Sequence, residues 1–219
     1  RVMPVYEFFV LASDFGSPSR TAVMRVIVDV IDVNDNAPMF DPVFYNITVS
    51  EFVPVGRSLL RVTATDADGG VSGQLTFSLR NVRSSDSAGS SRFAVDSGSG
   101  VLSVLRSLDA EVATVYTITI SVTDGGLQPL SAAQDATVVV NVLDVNDNQP
   151  VFFLSRYEVT VPESEVVDRI ILRVLALDSD VTNNAVWYSI RNESVTSDED
   201  DFVINPVSGL ITTSIPFDY

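Results

Sequence analysis

Two copies of one oxygen-rich string mark this chain: Asp32-Val33-Asn34-Asp35-Asn36-Ala37-Pro38 and Asp144-Val145-Asn146-Asp147-Asn148-Gln149-Pro150, a shift of 112 positions. Their reactive side chains are carboxylates and amides, and such oxygens, with main-chain carbonyls, are the ligands a hard cation takes, six to eight at a time for calcium. The acids near the second string are Glu51, Asp109, Glu111, Asp144, Asp147, Asp178 and Asp180. Brought together, each like-charge pair would cost ~1 kcal/mol at ~4 Å in water and more where partly desolvated. Divalent cations remove that repulsion. Asn146 adds an amide oxygen, and Val145 and Asn148 add carbonyls. One ion cannot use all of these acids, so a cluster of more than one ion is expected.

Composition narrows the chemistry further. Lys plus Arg is 13 and Asp plus Glu is 29, for a net charge of −16, with neither His nor Cys. Such a charge repels nucleic acid and anionic membrane surfaces. Without His and Cys there is no Ser-His-Asp or Cys-His nucleophile, no ordinary zinc site and no disulfide. An EF-hand needs Gly at loop position six and Glu at twelve. Counted from Asp32 these are Ala37 and Val43, from Asp144 they are Gln149 and Ser155, and from Asp66 the twelfth residue is Phe77. The EF-hand is rejected. A glycosidase with paired carboxylates is disfavoured because the repeat register accounts for every clustered acid, and no enzyme is expected.

The elements that must position these acids repeat as well. The 112-residue shift carries Phe40 onto Phe152, Tyr45 onto Tyr157, Glu51 onto Glu163, Arg61 onto Arg173, Asp66 onto Asp178 and Asp68 onto Asp180. Gly100-Val101-Leu102 matches Gly209-Leu210-Ile211, Leu108-Asp109 matches Phe217-Asp218, and Tyr116…Asp124-Gly125 matches Tyr6…Asp14-Phe15-Gly16. The chain therefore reads as the tail of one unit (1–37), a complete unit (38–149) and most of a third (150–219). Within the complete unit, Tyr116-Thr117-Ile118-Thr119-Ile120-Ser121-Val122-Thr123 alternates with period two, as do Leu60, Val62 and Ala64 with their neighbours. That is the pattern of half-buried strands. Asp68-Gly69-Gly70 and Asp124-Gly125-Gly126 are turns between them. No segment carries a helical apolar stripe. About seven short strands in ~110 residues predict an all-β, two-sheet sandwich. Residues 84–91 (Ser-Ser-Asp-Ser-Ala-Gly-Ser-Ser) read as a flexible loop, and the acidic run 198–201 as a solvated loop face.

These residues together resemble the extracellular repeats of cadherins. The resemblance covers nearly the whole chain, through Val49-Ser50-Glu51, Asp66-Ala67-Asp68, Leu108-Asp109-Ala110-Glu111, Val122-Thr123-Asp124-Gly125 and residues 144–150. It implies tandem seven-stranded Greek-key sandwiches of immunoglobulin-like architecture in a linear array, with about three Ca2+ at each complete junction between repeats. At the second junction it implies Glu51, Asp109 and Glu111 from the repeat before, side chains of Asn146 and Asp147, carbonyls of Val145 and Asn148, and Asp178, Asp180 and a carbonyl of Asn184 from the repeat after. At the first it implies Asn34, Asp35, Asn36, Asp66, Asp68 and Asp124, with Ser72 standing where the family usually has Asn. Asp14 and Glu163 match ligands of an earlier and a later junction. Strand-swapping members dock a Trp near the mature N-terminus, whereas Trp187 here aligns with Thr76, beside the core position Phe77, and reads as a surface or packing aromatic.

The resemblance further implies an internal stretch of a large, many-repeat type, like the protocadherin, Fat and Dachsous groups. The function it implies is calcium-dependent cell–cell adhesion through other cadherin ectodomains on an apposed cell. The alternative is a calcium-stiffened mechanical spacer. No nucleic acid or small-molecule substrate is expected. No stretch approaches the ~18 apolar residues of a bilayer span. The resemblance implies the extracellular part of a single-pass plasma-membrane protein, with any secretory signal and anchor outside this stretch. Asn46-Ile47-Thr48 and Asn192-Glu193-Ser194 are glycan acceptor sequons.

Overall fold

The structure is a computed structural model and describes residues 5–162, 166–191 and 201–216. It divides into two compact units, Arg1–Leu143 and Asp144–Tyr219. Among the described residues the only helical element is one turn of 3-10 helix, Gly89–Ser91. No helix among the described residues is long and apolar enough to cross a membrane.

The first unit opens with an antiparallel hairpin, β1 (Val5–Ser13) and β2 (Thr21–Asp29). All nine residues of β1 are exposed, Phe8 and Leu11 among them. A two-stranded ribbon on its own has no second sheet to bury against, so its apolar residues stay exposed. The rest of the unit contains β3 (Met39–Phe40), β4 (Phe44–Ser50), β5 (Ser58–Arg61), β6 (Ala64–Thr65), β7 (Thr76–Arg83), β8 (Phe93–Val95), β9 (Val101–Val104), β10 (Val115–Thr123) and β11 (Ala136–Leu143). They form a four-stranded sheet, β4-β11-β10-β7, a three-stranded sheet, β5-β9-β8, and the short pair β3-β6. Pairing is antiparallel except between β4 and β11, which run parallel. Four strands plus three is the seven-stranded sandwich that the alternation predicts.

The core follows from the same period. In β10 the residues Tyr116, Ile118, Ile120 and Val122 are all 0% exposed, and Ala136, Val138 and Val140 of β11 match them. They join Phe93, Leu102 and Val104 of the other sheet in one apolar cluster. Burial of each larger side chain stabilises the fold by roughly 1.5–3 kcal/mol. Phe93 meets Tyr116 edge-on, with centroids 5.1 Å apart.

The Leu60, Val62, Ala64 alternation crosses a break between β5 and β6. Val62 leaves the ladder there, and its N–H donates to the Gly100 carbonyl at 2.9 Å. Gly100 has φ +71, and a Cβ on it would lie 2.6 Å from the Val62 carbonyl oxygen. Gly209 repeats this geometry, with φ +67 and 2.3 Å to the Val174 oxygen. A left-handed backbone costs a side-chain-bearing residue about 1–2 kcal/mol, and here a backbone clash adds to it. Gly100→Ala is therefore expected to lower unfolding stability by about 2 kcal/mol or more, read from the urea midpoint. A midpoint that stays put would contradict this.

The serine-rich segment 84–91 departs from the flexible loop expected of it. Asp86 is 7% exposed, and its carboxylate accepts from the Ala88 N–H (2.8 Å), Arg92 Nε (2.6 Å) and the Tyr116 hydroxyl (3.2 Å). A buried acid with three donors organises the chain around it, whatever the surrounding apolar content.

The second unit pairs β12 (Val151–Phe152) with β14 (Ala176–Leu177) and forms a three-stranded sheet β13-β16-β15 from β13 (Ile170–Arg173), β15 (Phe202–Ile204) and β16 (Leu210–Thr213). Its core is Val174, Ala176 and Tyr188, ringed by Tyr157, Leu172, Val186, Ile204 and Ile211. Tyr188 takes the place of Phe77 in the repeat, and Trp187 beside it is 73% exposed. The register is realised contact by contact. The Tyr45 hydroxyl accepts from Thr63 N–H as that of Tyr157 does from Leu175 N–H. Arg61 Nε donates to the Ser99 carbonyl as Arg173 Nε does to that of Ser208. Glu163, Asn192, Asp198, Glu199, Asp200 and Asp218 lie outside the described residues.

Candidate metal centre

The acids of the first unit fall into two sets. Asp124 directly follows β10, whereas Asp109 and Glu111 precede it. A nine-residue strand spans roughly 30 Å at ~3.3 Å per residue, so the sets stand at opposite ends of it.

In the first set, Asp66 and Asp68 follow β6 and form a tight turn in which Asp68 N–H donates to Asp66 Oδ1 at 2.8 Å. The linker string folds onto this turn. The N–H groups of Asp35 and Asn36 donate to Asp68 Oδ2 at 3.1 and 3.0 Å, and Asn36 Nδ2 donates to Asp68 Oδ1 at 2.5 Å. These bonds, the Asn36 side chain foremost, hold the Asp68 carboxyl below the usual carboxylate range, so it is charged at neutral pH. Asn34 Nδ2 donates to Asp124 Oδ1 at 3.2 Å and to the Gln128 carbonyl at 2.9 Å. Asp124, 3% exposed, also accepts from Gly126 and Leu130 N–H. Asp14 makes the matching pair with Gly16 and Arg20 N–H, and those two main-chain donors lower its carboxyl. Ser72 lines an opening of about 440 Å3 with Asp32 and Asp68.

In the second set, Glu51 follows β4 and is 4% exposed. Its Oε2 accepts from Ala110 N–H at 2.8 Å, which fixes it to the turn between Asp109 and Glu111. Asp109 closes that turn on itself, accepting from Val112 N–H at 3.1 Å.

The second unit repeats the linker geometry of the first. Asp180 N–H donates to Asp178 Oδ1 at 3.0 Å, and the N–H and Nδ2 of Asn148 donate to Asp180 Oδ1 at 3.1 and 2.9 Å. Asn148 Nδ2 also reaches Asp147 Oδ1. Asp144 Oδ2 accepts from the Thr182 N–H at 2.7 Å and from its hydroxyl, pinning the loop that leads to exposed Asn184. Val145 is half-buried and Asn146 exposed.

A direct test of fit comes from the oxygens these networks leave over. Asn34 Oδ1, Asp66 Oδ2 and Asp180 Oδ2 are buried and accept no hydrogen bond. An unsatisfied buried acceptor costs about 1–3 kcal/mol, more when charged, and native folds rarely tolerate one without a partner. All three belong to the predicted ligand residues, in both units. Their partner must be a donor or a cation, and an all-oxygen, carboxylate-rich setting suits a hard divalent cation.

Thr182, Ser85, Asp86 and Arg92 have structural roles around these sets that sequence reading misses. The Asp86–Arg92 spacing, an acid and a base inside a serine-rich stretch, was the available signal. It has no counterpart in the 112-residue register, which is why the repeat did not expose it.

The family model described as Cadherin domain matches residues 45–143. Human Protocadherin Fat 1 is 38% identical over 207 residues, 94% of this chain and 4% of that protein. Mouse Cadherin-23 is 36% identical over 213 residues, 96% of this chain and 6% of that protein. The chain thus spans a small fraction of these relatives. Among solved structures, mouse Cadherin-23 EC22-24 superposes with a TM-score of 0.77 at 34% identity, covering 99% of this chain and 66% of that one. Human CDH23 EC21-23 gives 0.76 at 30%, covering 96% and 67%. By its sheets, its repeated acids and these matches, the chain belongs to the cadherin family.

Proposed function

We propose that this chain is part of the extracellular region of a calcium-dependent cell–cell adhesion protein of the large protocadherin, Fat and Dachsous kind, anchored in the plasma membrane through a segment elsewhere in the protein. It reads as three cadherin repeats, 1–37, 38–149 and 150–219, the middle one complete. Ca2+ would be held at the first junction by Asn34, Asp35, Asn36, Asp66, Asp68, Ser72 and Asp124. At the second, Glu51, Asp109 and Glu111 would act with Val145, Asn146, Asp147, Asn148, Asp178, Asp180 and Asn184. Calcium supplies the charge that lets these carboxylates gather. The protein supplies oxygens already fixed by main-chain and amide donors, and so stiffens successive repeats for recognition of another cadherin ectodomain. A related protein, Protocadherin gammaB7 EC3-6, 29% identical with a TM-score of 0.72 over 98% of this chain and 51% of that one, is described as a cis-dimer, which supports cadherin–cadherin contact as the partner class. Asn46 is exposed on β4 with its Oδ1 accepting from Asn141 Nδ2 at 2.7 Å, and it is proposed as a glycan acceptor with Asn192.

The observation that carries this reading is the set of buried, unpartnered oxygens on Asn34, Asp66 and Asp180. A calorimetric titration with calcium, paired with melting in calcium and in chelator, tests it. Each ion present at 100 times its Kd stabilises the protein by about 2.7 kcal/mol, and a kcal/mol moves the Tm of a repeat this size by about 4–8 °C. Chelation is therefore expected to lower the Tm by 10 °C or more, on the order of one ion's contribution, and to make the solution scattering profile more variable. No heat of binding at millimolar calcium, together with an unmoved Tm, rules the proposal out.

A further inference from the structure

The turn bearing Asp109 and Glu111 is gripped from both sides by residues 84–92. On the way in, the Arg92 carbonyl accepts from the N–H groups of Leu105 (2.7 Å) and Arg106 (3.4 Å), and Arg92 Nη1 donates to the Ser107 carbonyl. On the way out, Ser85 Oγ donates to the Val112 carbonyl at 2.7 Å. Arg92 is itself held by Asp86 at 2.6 Å, and Asp86 by the hydroxyl of fully buried Tyr116 and the N–H of Ala88. The turn's internal hydrogen bonds, Val112 and Ala113 N–H to Asp109, do not tie it to the sheets. Its buried Leu108, Ala110 and Ala113 and the Ala110 N–H bond to Glu51 do so from one side, and the grip from residues 84–92, anchored to β10 through Tyr116, adds the hold on the segments entering and leaving it.

We infer that Ser85 and the Asp86–Arg92–Tyr116 group are positioning residues for the cation ligands Asp109 and Glu111, so that affinity at this end of the repeat is set by side chains that touch no ion. This rests on the calcium reading above. Groups that orient metal ligands without binding the metal change its affinity 10- to 100-fold when removed. The fixed fork of an arginine suits the task, because one guanidinium meets the carboxylate and the Ser107 carbonyl at once.

The test is a calcium titration of the full chain followed by amide resonances. Ala110, Val112 and Ala113 report one end, and Asp66, Asp68 and Gly125 report the other as an internal control. In Arg92→Met the half-saturating calcium for the first group is expected to rise about tenfold, with the control group changed less than about twofold. Ser85→Ala, which removes one bond and leaves the buried pair intact, should shift the first group in the same direction by less. Arg92→Lys should recover part of the loss. If Arg92→Met fails to fold, Ser85→Ala decides alone. Equal weakening at both ends would mean general destabilisation and overturns the inference, as does a folded variant with unchanged affinity at Ala110–Ala113 resonances. Absence of any calcium response at those resonances in the unsubstituted chain is a different result: it removes the calcium reading itself, and this inference with it.

Discussion

Asp86→Ala is expected to cost about 3–5 kcal/mol, the loss that follows when one partner of a buried ion pair is removed and the other stays behind. The Arg92 side chain is 18% exposed and that of Asp86 4%, so the stranded guanidinium has little water to turn to. For a repeat of this size the Tm should fall on the order of 20 °C. Asp86→Asn keeps the shape and one acceptor, and should cost less. Burial alone would raise the Asp86 carboxyl, but the Ala88 N–H, Arg92 and Tyr116 outweigh it and hold it below the usual range. Tyr116 is pushed up to about 12, by burial first and then by the charge on Asp86, so it remains a neutral donor. Because the folded carboxyl titrates below its unfolded value of about 3.9, its contribution is complete above that pH and disappears as pH falls through the lower folded value. Asp86→Asn should flatten that acid limb in a urea series run from neutral pH downwards. A full-sized acid limb in Asp86→Asn would show that other carboxylates carry it.

Ile118→Ala is the second large effect. The residue is 0% exposed at the centre of β10, between Val138 on β11 and Val82 on β7. Truncating a buried Ile to Ala costs about 2–5 kcal/mol, in transfer and in the cavity left behind, whereas Ile→Val costs about 0.5–1.5. Leu127→Ala is the matched control. Leu127 is wholly exposed in the turn after Asp124, and surface changes of this kind stay within about 0.5 kcal/mol. Denaturant midpoints in the order Leu127→Ala, Ile118→Val, Ile118→Ala, with unchanged slopes, are the expected result. An Ile118→Ala midpoint at the level of the Leu127 control would mean that the alternation does not define the core.

What made the fold legible is visible in β10 itself. Its Thr and Ser positions alternate with Tyr116, Ile118, Ile120 and Val122, and the structure buries every second residue. A half-buried strand leaves that trace because successive side chains point to opposite faces. The candidate site was legible for a different reason, namely repetition. Asp66 with Asp68 and Asp178 with Asp180 make the same turn and receive the same Asn donor. Where neither signal operates, sequence reading fails. Residues 84–91 have no period and few apolar groups, so the one local trace is the acid–base spacing of Asp86 and Arg92, which does not by itself show burial. The partners that bury it, Arg92 and Tyr116, lie 6 and 30 positions away.

The hydrogen bonds from the Asn36 main chain and amide to Asp68 are made within the protein, before any ion is considered. If calcium binds here as proposed, a cradle already held by these bonds would not have to be assembled at the moment of capture, so little of the binding energy would be consumed in ordering it. On the proposed calcium reading, loading and unloading this loop would call for little local rearrangement of its backbone.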